Sequence, residues 1–214
     1  MNYDDTVRYA SEYANTNGYY LVQDTALPDY VDTPNNVVMG YTTMVHEALE
    51  QLSEKPTHVF VQAGVGSMAG GVTWYLHHKY GREMPFVSVI EASCVACIFE
   101  SIKQSKMVAI GGTPYTAMAG LNCGEANPIT FPILKALGHT FIKCEDEVTF
   151  KGMHLSKNPI GNDVMFSSGE SGAVGIGLID EIMQNPIYSE YKKMMQLDSN
   201  SVVLIFSTEG ELIL

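Results

Sequence analysis

The chain has 214 residues, of which 46% are hydrophobic and 17% charged, a composition typical of a globular protein and not of a disordered one. Its 12 Lys+Arg against 24 Asp+Glu give a net charge of −12 with no basic stripe, which excludes nucleic acid and anionic membranes as partners. The longest apolar runs, residues 59–63 and 202–206, have the length of strands, and no signal peptide follows Met1. We therefore predict a cytoplasmic protein without a membrane-spanning segment.

The first part of the chain is predicted to contain two helices and a strand. Helical spacing of apolar residues covers residues 4–15, and Asn17-Gly18 ends this helix. Residues 19–22 are predicted to form a short strand, and Pro28 with residues 32–34 a loop. A long helix follows over residues 37–52.

From residue 57 onward, short apolar strands alternate with helices. Strands are predicted over residues 57–62, 86–90, 106–110, 140–143 and 201–206. Helices are predicted through residues 74–80 and over 95–102, 128–137, 148–155 and 173–183. Strands that alternate with helices and are apolar on both faces form parallel sheets covered on both sides. This pattern predicts an α/β fold, a three-layer sandwich with a mostly parallel central sheet.

A glycine-rich turn at residues 62–71, Gln-Ala-Gly-Val-Gly-Ser-Met-Ala-Gly-Gly, joins a buried strand to a helix. Glycines let the backbone approach an anion, and the amides of the helix N-terminus point at it, so the turn is a candidate phosphate cup. Two other interpretations remain open. The glycines suit tight strand–helix packing, and Gly64, Gly66 and Gly70 also resemble a dinucleotide fingerprint in which Glu91 binds a ribose.

Four cysteines are too few and too scattered for a secreted disulfide framework. Cys94 and Cys97 form a C-x-x-C pair, but a lone pair without a second one or nearby histidines is a poor zinc signal. We interpret both as small hydrophobic residues on one helical face.

Further motifs carry a family resemblance. They are residues 120–128 (Gly-Leu-Asn-Cys-Gly-Glu-Ala-Asn-Pro), residues 168–175 (Ser-Gly-Glu-Ser-Gly-Ala-Val-Gly), residues 207–210 (Ser-Thr-Glu-Gly), and residues 3–8, 22–26 and 40–43. In this order they resemble the diaminopropionate ammonia-lyases, a branch of the fold-type-II pyridoxal-phosphate enzymes related to tryptophan synthase β. The resemblance covers nearly the whole chain and favours a pyridoxal-phosphate site over a dinucleotide site.

The resemblance implies a homodimeric lyase whose substrate is a small amino acid. Such an enzyme converts 2,3-diaminopropionate to pyruvate and ammonia, with pyridoxal 5'-phosphate as the electron sink. It also implies a domain division: residues 1–39 would be the C-terminal piece of the small domain and a linker. Residues 40–214 would be the large cofactor-binding domain, lacking its N-terminal part.

Site residues follow from the same motif matches. Asp24 matches a carboxylate near the substrate that works as acid or base, and Ser207 or Thr208 would hydrogen-bond the pyridine nitrogen. Gly120 and Glu170 match loops that border the cofactor ring. From the residues alone, each of these positions also suits a turn or a cap. The phosphate cup would consist of Gly64, Val65, Gly66, Ser67, Gly70 and Gly71.

The chain also departs from the family pattern. The lysine that holds the cofactor lies upstream in an Asn-x-Phe-Lys motif, and no lysine here has that context. The Asp-Gly-Asn-His loop and a second catalytic aspartate are missing as well. We therefore expect a truncated lyase, inactive alone. A non-catalytic phosphate-binding remnant and one half of a split enzyme remain alternatives.

The resemblance further brings Cys97 and Cys123 to the carboxyl edge of the sheet, near the site. A disulfide between them would pin the loop of residues 120–128 if their Cα atoms lie within about 4.4–6.8 Å. A reducing cytosol disfavours such a bond.

Overall fold

A four-stranded parallel sheet forms the centre of the computed structural model, which describes residues 2–210. The strand order is β3-β2-β1-β4, and each neighbouring pair is parallel. The α/β prediction with a mostly parallel sheet is therefore confirmed. The strands are β1 (His58–Gln62), β2 (Phe86–Ala92), β3 (Thr140–Cys144) and β4 (Val203–Ile205).

Helices connect the strands and cover the sheet. No described helix has the length and apolar character needed to cross a membrane. The helices are α1 (Tyr3–Asn17), α2 (Asp32–Gln51), α3 (Ser67–Tyr80), α4 (Cys97–Gln104), α5 (Phe131–Leu137), α6 (Asp146–Lys157), α7 (Glu170–Gln184) and α8 (Ser189–Met194).

Each face of the sheet carries its own apolar cluster. Side chains alternate along a strand, so Val59 and Val61 of β1 face one cluster and Phe60 faces the other. The first cluster includes side chains of α2, α3, α4 and α5, and the second those of α7. All five residues of β1 are buried, as expected for a parallel strand covered on both sides. The three-layer arrangement follows from these two clusters.

Helices α6 and α7 pack so closely that their backbones touch. A Cβ on Gly152 would collide with the carbonyl oxygen of Ala173, and one on Gly177 with that of Val148. Lys151 adds a polar contact between the same helices, with its Nζ 2.7 Å from Asp180 Oδ2. Glycine is therefore required at both crossing positions because any side chain would force the helices apart.

A buried carboxylate fixes the start of α4. Glu91, only 1% exposed, accepts the backbone N–H of Ile98 at 2.8 Å and that of Phe99 at 2.7 Å. Burial raises the pKa of Glu91 to about 7, although the two amides favour the charged form and oppose the shift. Glu91 thus caps a helix whose first amides have no intrahelical partner.

Two predicted strands are wrong. Residues 19–22 pair with no strand in the described chain and lie exposed, with Tyr20 82% and Val22 70% accessible. Residues 106–110 are not a strand either, since the N–H of Val108 bonds to Ser101 Oγ and that of Ile110 to Gly124 O. Both segments have strand-like composition, but a strand exists only where a neighbour completes its ladder.

Helix boundaries also differ from the predictions. Helix α2 begins at Asp32, five residues before the predicted start at residue 37. Pro34 is tolerated there because it lies in the first turn, where backbone N–H groups have no intrahelical acceptor. The predicted domain boundary between residues 39 and 40 therefore falls inside α2, and the division itself stays a prediction. The short helix α8 was not predicted.

The interpretation of Cys94 and Cys97 as residues of one helical face is wrong. Cys94 is exposed and lies in a 3-10 turn, whereas Cys97 is buried and begins α4, so the two do not share a helical face. Cys97 and Cys123 are both free thiols, not a disulfide. Burial raises the pKa of both, to about 12 for Cys123, which keeps them protonated and poorly reactive.

The α6–α7 crossing leads to a first prediction. Gly177→Ala should lower the free energy of unfolding in urea by roughly 1–3 kcal/mol, the usual cost of overpacking. Gly40→Ala is the matched control, because Gly40 is an exposed α2 residue whose Cβ would meet nothing within 4 Å. This control should gain about 0.5–1 kcal/mol from helix propensity. Equal effects of the two substitutions would contradict the close-packing argument.

Glu91 leads to a second prediction, about pH. Its folded-state pKa of about 7 exceeds the ordinary value of 4.5, so the folded chain holds a proton that the unfolded chain has released between these limits. Stability supplied by the protonated carboxyl is therefore complete below pH 4.5 and lost as the pH rises to 7. Glu91→Gln removes this dependence.

The measurement is urea unfolding of both proteins at pH 5, 6, 7 and 8. The unfolding free energy of Glu91→Gln minus that of the wild-type chain should increase by roughly 3 kcal/mol as the pH rises across the titration window. Glu83→Gln, which removes an exposed carboxylate, is the control. A difference that stays constant with pH would show that Glu91 does not titrate there.

Candidate functional site

A cavity of about 250 Å³ opens at the carboxyl end of β1 and β4. In α/β sheets this edge is where ligands bind. The loop after β1, residues 120–123, the start of α7 and the segment after β4 form its walls, together with Tyr3, Asp24 and Tyr41. A larger apolar groove of about 550 Å³ lies along β3, away from these residues.

The glycine turn forms the floor of this cavity. Gly66 has φ +91° and caps α3, a conformation that glycine adopts without strain. A Cβ on Gly64 would lie 2.9 Å from Gly120 O and 3.0 Å from Cys123 Sγ, so the turn and the 120–123 loop meet backbone to backbone. The predicted Val65 and Ser67 line the cavity as well. The backbone of this turn is concave, a shape that accommodates a small charged group of a ligand.

The first turn of α3 leaves backbone amides free at the cavity. The first intrahelical bond runs from the N–H of Gly70 to Gly66 O at 2.8 Å, so the amides of Ser67, Met68 and Ala69 precede it and have no intrahelical acceptor. The helix dipole also favours negative charge at this end. A phosphate group therefore fits the turn without a basic side chain.

Gly70 and Gly71 do not line the cavity. A Cβ on Gly70 would collide with the side chain of Thr130, and one on Gly71 would lie 2.7 Å from Val38 O. Both glycines allow α3 to pack closely against its neighbours, which is the packing interpretation of the motif. Their part in a phosphate cup stays a prediction.

Asp24 faces the cavity beside two tyrosines. Its Oδ1 accepts hydrogen bonds from Tyr3 Oη and Thr25 Oγ1, each at 3.3 Å. Burial and then the charge of Asp24 raise the pKa of both Tyr3 and Tyr41, so each phenol keeps its proton. The carboxylate is thus held by neutral hydroxyl donors.

The predicted ring-binding residues divide into two groups. Thr208 and Gly120 line the cavity, and the N–H of Gly120 donates to Ser171 Oγ at 3.1 Å. Ser207 instead donates to Ser168 Oγ at 2.8 Å and lies outside the lining. The geometry therefore favours Thr208 over Ser207 as the residue beside a ligand.

Glu170 lies at the start of α7, outside the cavity lining. Its backbone carbonyl accepts the hydroxyl of Thr149, which ties α7 to α6. The neighbouring Glu209 is in the lining, and its Oε2 accepts the N–H of Ser171 at 2.5 Å. The carboxylate that borders the cavity from this side is therefore that of Glu209.

Several lining residues were not among the predicted site residues: Tyr3, Tyr41, Gln62 and Glu209. Gln62 gives a usable signal, since it ends an otherwise apolar strand, and its Nε2 donates to Phe206 O at 2.8 Å. Tyr3 and Glu209 belong to recognised motifs but carry no local mark of their role. Tyr41 lies outside the apolar stripe of the predicted helix of residues 37–52, so the sequence gives no sign that it lines a site.

The dinucleotide alternative is wrong. Its ribose-binding residue would be Glu91, whose two oxygens are occupied by the amides of Ile98 and Phe99 in the core. An acidic residue that binds a ribose must instead stand free at the sheet edge.

The electrostatics of the cavity are unusual for an anion site. Asp24 and Glu209 contribute acidic groups, and no Lys, Arg or His stands among the described residues that line it. No cluster of His, Cys, Asp or Glu within residues 2–210 suits a metal ion. The amides of the α3 N-terminus are thus the groups in the lining that suit a phosphate, and no lining residue carries an amine.

Comparison with known proteins identifies the family. A sequence profile described as "Pyridoxal-phosphate dependent enzyme" matches residues 1–174. The chain is 42% identical over 214 residues to the diaminopropionate ammonia-lyase of Escherichia coli (strain K12), covering 99% of this chain and 54% of the relative. The chain therefore spans about half the length of the curated relatives it matches.

Solved structures agree with this result. The crystal structure of the Escherichia coli diaminopropionate ammonia-lyase, in complex with an aminoacrylate-PLP azomethine reaction intermediate, superposes with a TM-score of 0.91 at 42% identity. It covers 98% of this chain and 54% of that one. Threonine deaminase isoform 2 from Solanum lycopersicum shares the fold, with a TM-score of 0.75 at 16% identity, over 96% of this chain and 53% of that one. The chain belongs to the pyridoxal-phosphate dependent enzymes, and among them it is similar to the diaminopropionate ammonia-lyases.

Proposed function

We propose that this chain is the part of a diaminopropionate ammonia-lyase that binds the phosphate of pyridoxal 5'-phosphate and carries one acid–base group. The observation that supports this most is the cavity where the glycine turn, the N-terminus of α3 and Asp24 meet. The likeness to the Escherichia coli enzyme over nearly the whole chain supports the choice of 2,3-diaminopropionate as substrate. Pyruvate and ammonia would be the products.

The glycine turn is proposed to bind the cofactor phosphate. The amides of Ser67, Met68 and Ala69 would donate to its oxygens, and the positive φ of Gly66 orients that turn. When bound, pyridoxal phosphate supplies an electron sink for the charge that proton removal leaves on the substrate. Thr208, also in the lining, would offer a neutral hydroxyl to the ring nitrogen.

Asp24 is proposed to hold and move a proton at the substrate. Its carboxylate lies in the cavity and accepts bonds from Tyr3 and Thr25, which fix its direction. A group positioned in this way acts as general acid or base once the substrate amine or Cα comes within hydrogen-bond reach. Tyr3 and Tyr41, as protonated phenols, exclude water from one side of the carboxylate.

The chain alone is proposed to be incomplete. No lysine lines the cavity within residues 2–210, and the described chain exposes an aromatic surface on α1 and just after it. This surface contains Tyr9, Tyr13 and Tyr19. The ring centroids of Tyr9 and Tyr13 lie 6.0 Å apart, and those of Tyr13 and Tyr19 lie 5.9 Å apart. Apolar patches of this kind are typical of surfaces that more protein covers. The same observations suit one half of a split enzyme.

Location and assembly are part of the same proposal. Four free cysteines suit the reducing cytoplasm. A homodimer is proposed by similarity to the family, and the small amino-acid substrate follows from the same relatives.

A third prediction tests the phosphate site. Gly66→Ala should weaken binding of inorganic phosphate or pyridoxal phosphate by about tenfold or more, because alanine is strained at φ +91° and its Cβ would lie 2.8 Å from Ile98 Cδ1. Isothermal titration calorimetry measures the affinity. Gly112→Ala is the matched control, with φ +94° and nothing within 4 Å of its Cβ. Equal loss in both variants would assign the effect to backbone strain alone.

A fourth prediction concerns activity. The 214-residue chain should release no measurable ammonia from 2,3-diaminopropionate, because no lining lysine can hold the cofactor. Co-expression with the half of the Escherichia coli relative that this chain does not cover should restore pyruvate formation. Asp24→Asn should then lower the restored rate by ~10²–10⁴-fold, whereas Asp29→Asn, at an exposed position nearby, should not. Pyruvate formation by the chain alone at the rate of the relative would refute the incomplete-enzyme proposal.

A further inference from the structure

Asn127 is a completely buried polar residue just before α5, at 0% exposure. It lies where three segments converge: residues 23–27, which we call the Asp24 loop, the glycine turn and the first turn of α5. None of the predicted site assignments included it. A buried carboxamide must find hydrogen-bond partners, so the identity of those partners shows what the residue holds together.

The side chain of Asn127 uses both of its donors and both of its acceptor positions. Nδ2 donates to Asp24 O at 2.7 Å and to Ser67 Oγ at 2.9 Å. Oδ1 accepts the N–H of Ile129 at 3.1 Å and, at a longer 3.5 Å, that of Ala26. A carboxamide offers two donor hydrogens and two lone pairs, so this site has no spare capacity.

The backbone of Asn127 adds to this junction. Its N–H donates to Val65 O at 2.7 Å, which attaches it to the glycine turn. Its carbonyl accepts the N–H of Thr130 and of Phe131, at 3.1 and 3.0 Å, and so starts α5. One residue thereby joins the proposed phosphate turn to a helix of the rigid core.

The other hydrogen bonds of the Asp24 loop do not reach the glycine turn, since Tyr30 Oη contacts the backbone of Gln23 and Tyr3 Oη donates to the Asp24 side chain. The preceding residues 19–22 have no regular secondary structure and no partner strand in the described chain, and all but Leu21 are exposed. The Asp24 carbonyl accepts Asn127 Nδ2 at 2.7 Å and Ser67 Oγ at a longer 3.3 Å, and Ser67 is itself held by Asn127. The position of the Asp24 backbone relative to the turn therefore depends chiefly on Asn127.

We propose that Asn127 is a positioning residue that fixes Asp24 over the phosphate-binding turn. The inference rests on the proposed function for the importance of Asp24, but the linkage itself is a property of the ligand-free chain. Aspartate cannot replace Asn127, although it has the same shape. It has no N–H to donate, so its carboxylate would face the carbonyl oxygen of Asp24 and lose the contact with it.

Amide hydrogen exchange of the full 214-residue chain without ligand tests the linkage. Asn127→Asp should accelerate exchange of the amides of residues 23–27 by about tenfold or more, the effect expected when a buried polar group loses its partner. Exchange in β1, residues 58–62, should stay unchanged. Asn122→Asp is the matched control, because Asn122 also donates to a backbone carbonyl, that of Pro114 at 3.1 Å, but outside this junction.

Two results would overturn the inference: unchanged exchange at residues 23–27, or equal acceleration in β1, which would make Asn127 a general stability residue. If Asn127→Asp does not fold, Ser67→Ala decides the question, since it removes the longer of the two donors to Asp24 O and one acceptor of Asn127 Nδ2 but leaves the 2.7 Å bond from Asn127 to Asp24 O. A smaller acceleration confined to residues 23–27 supports the linkage, and none contradicts it.

Inorganic phosphate then separates this inference from the proposed function. Phosphate should slow exchange at residues 23–27 in the wild-type chain, and should not do so in Asn127→Asp even where it binds with unchanged affinity. Equal slowing in both would overturn the linkage. A wild-type chain that binds no phosphate would instead contradict the proposed function, while the ligand-free comparison still decides the role of Asn127.

Discussion

The burial of β1 on both faces is the constraint on which the rest of the molecule depends. This strand is hydrogen-bonded to β2 on one side and to β4 on the other, so it has no free edge. Its alternate side chains belong to two separate apolar clusters, which places helices on both faces. Since the backbone of β1 is rigid for these reasons, the turn that leaves its carboxyl end has a fixed origin. The candidate site is built from that end.

Close backbone approach then brings distant segments to this turn. Gly64 lets the 120–123 loop come within contact distance, Gly70 admits Thr130, and Gly71 admits the backbone of α2. Side chains complete what the glycines allow, since Gln62 ties the ends of β1 and β4 together and Asn127 attaches the Asp24 loop. The cavity is therefore the meeting point of seven chain segments and not the product of one motif.

The charge of the chain agrees with this way of building a site. With a net charge of −12, a phosphate must be attracted locally, and a helix N-terminus does so with backbone amides alone. The cavity also has acidic groups and, among the residues described, no cation. An anionic cofactor that needs an anchoring amine would have to take it from outside the described lining. The chain spans about half the length of its relatives.

The sequence by itself determined the parallel sheet, the glycine turn and the family, because alternating apolar strands and helices, and collinear motifs, are local patterns. It did not determine that residues 19–22 and 106–110 are not strands, since pairing depends on neighbours that composition does not reveal. It also did not separate Gly66, at the cavity, from Gly70, against α5, or Thr208 from Ser207. Glu91 and Asn127 look alike in the sequence as polar residues among apolar ones. Only the tertiary structure assigned one to a helix cap and the other to the Asp24 loop, because a buried polar group takes its role from whichever donors and acceptors the fold brings within hydrogen-bond distance.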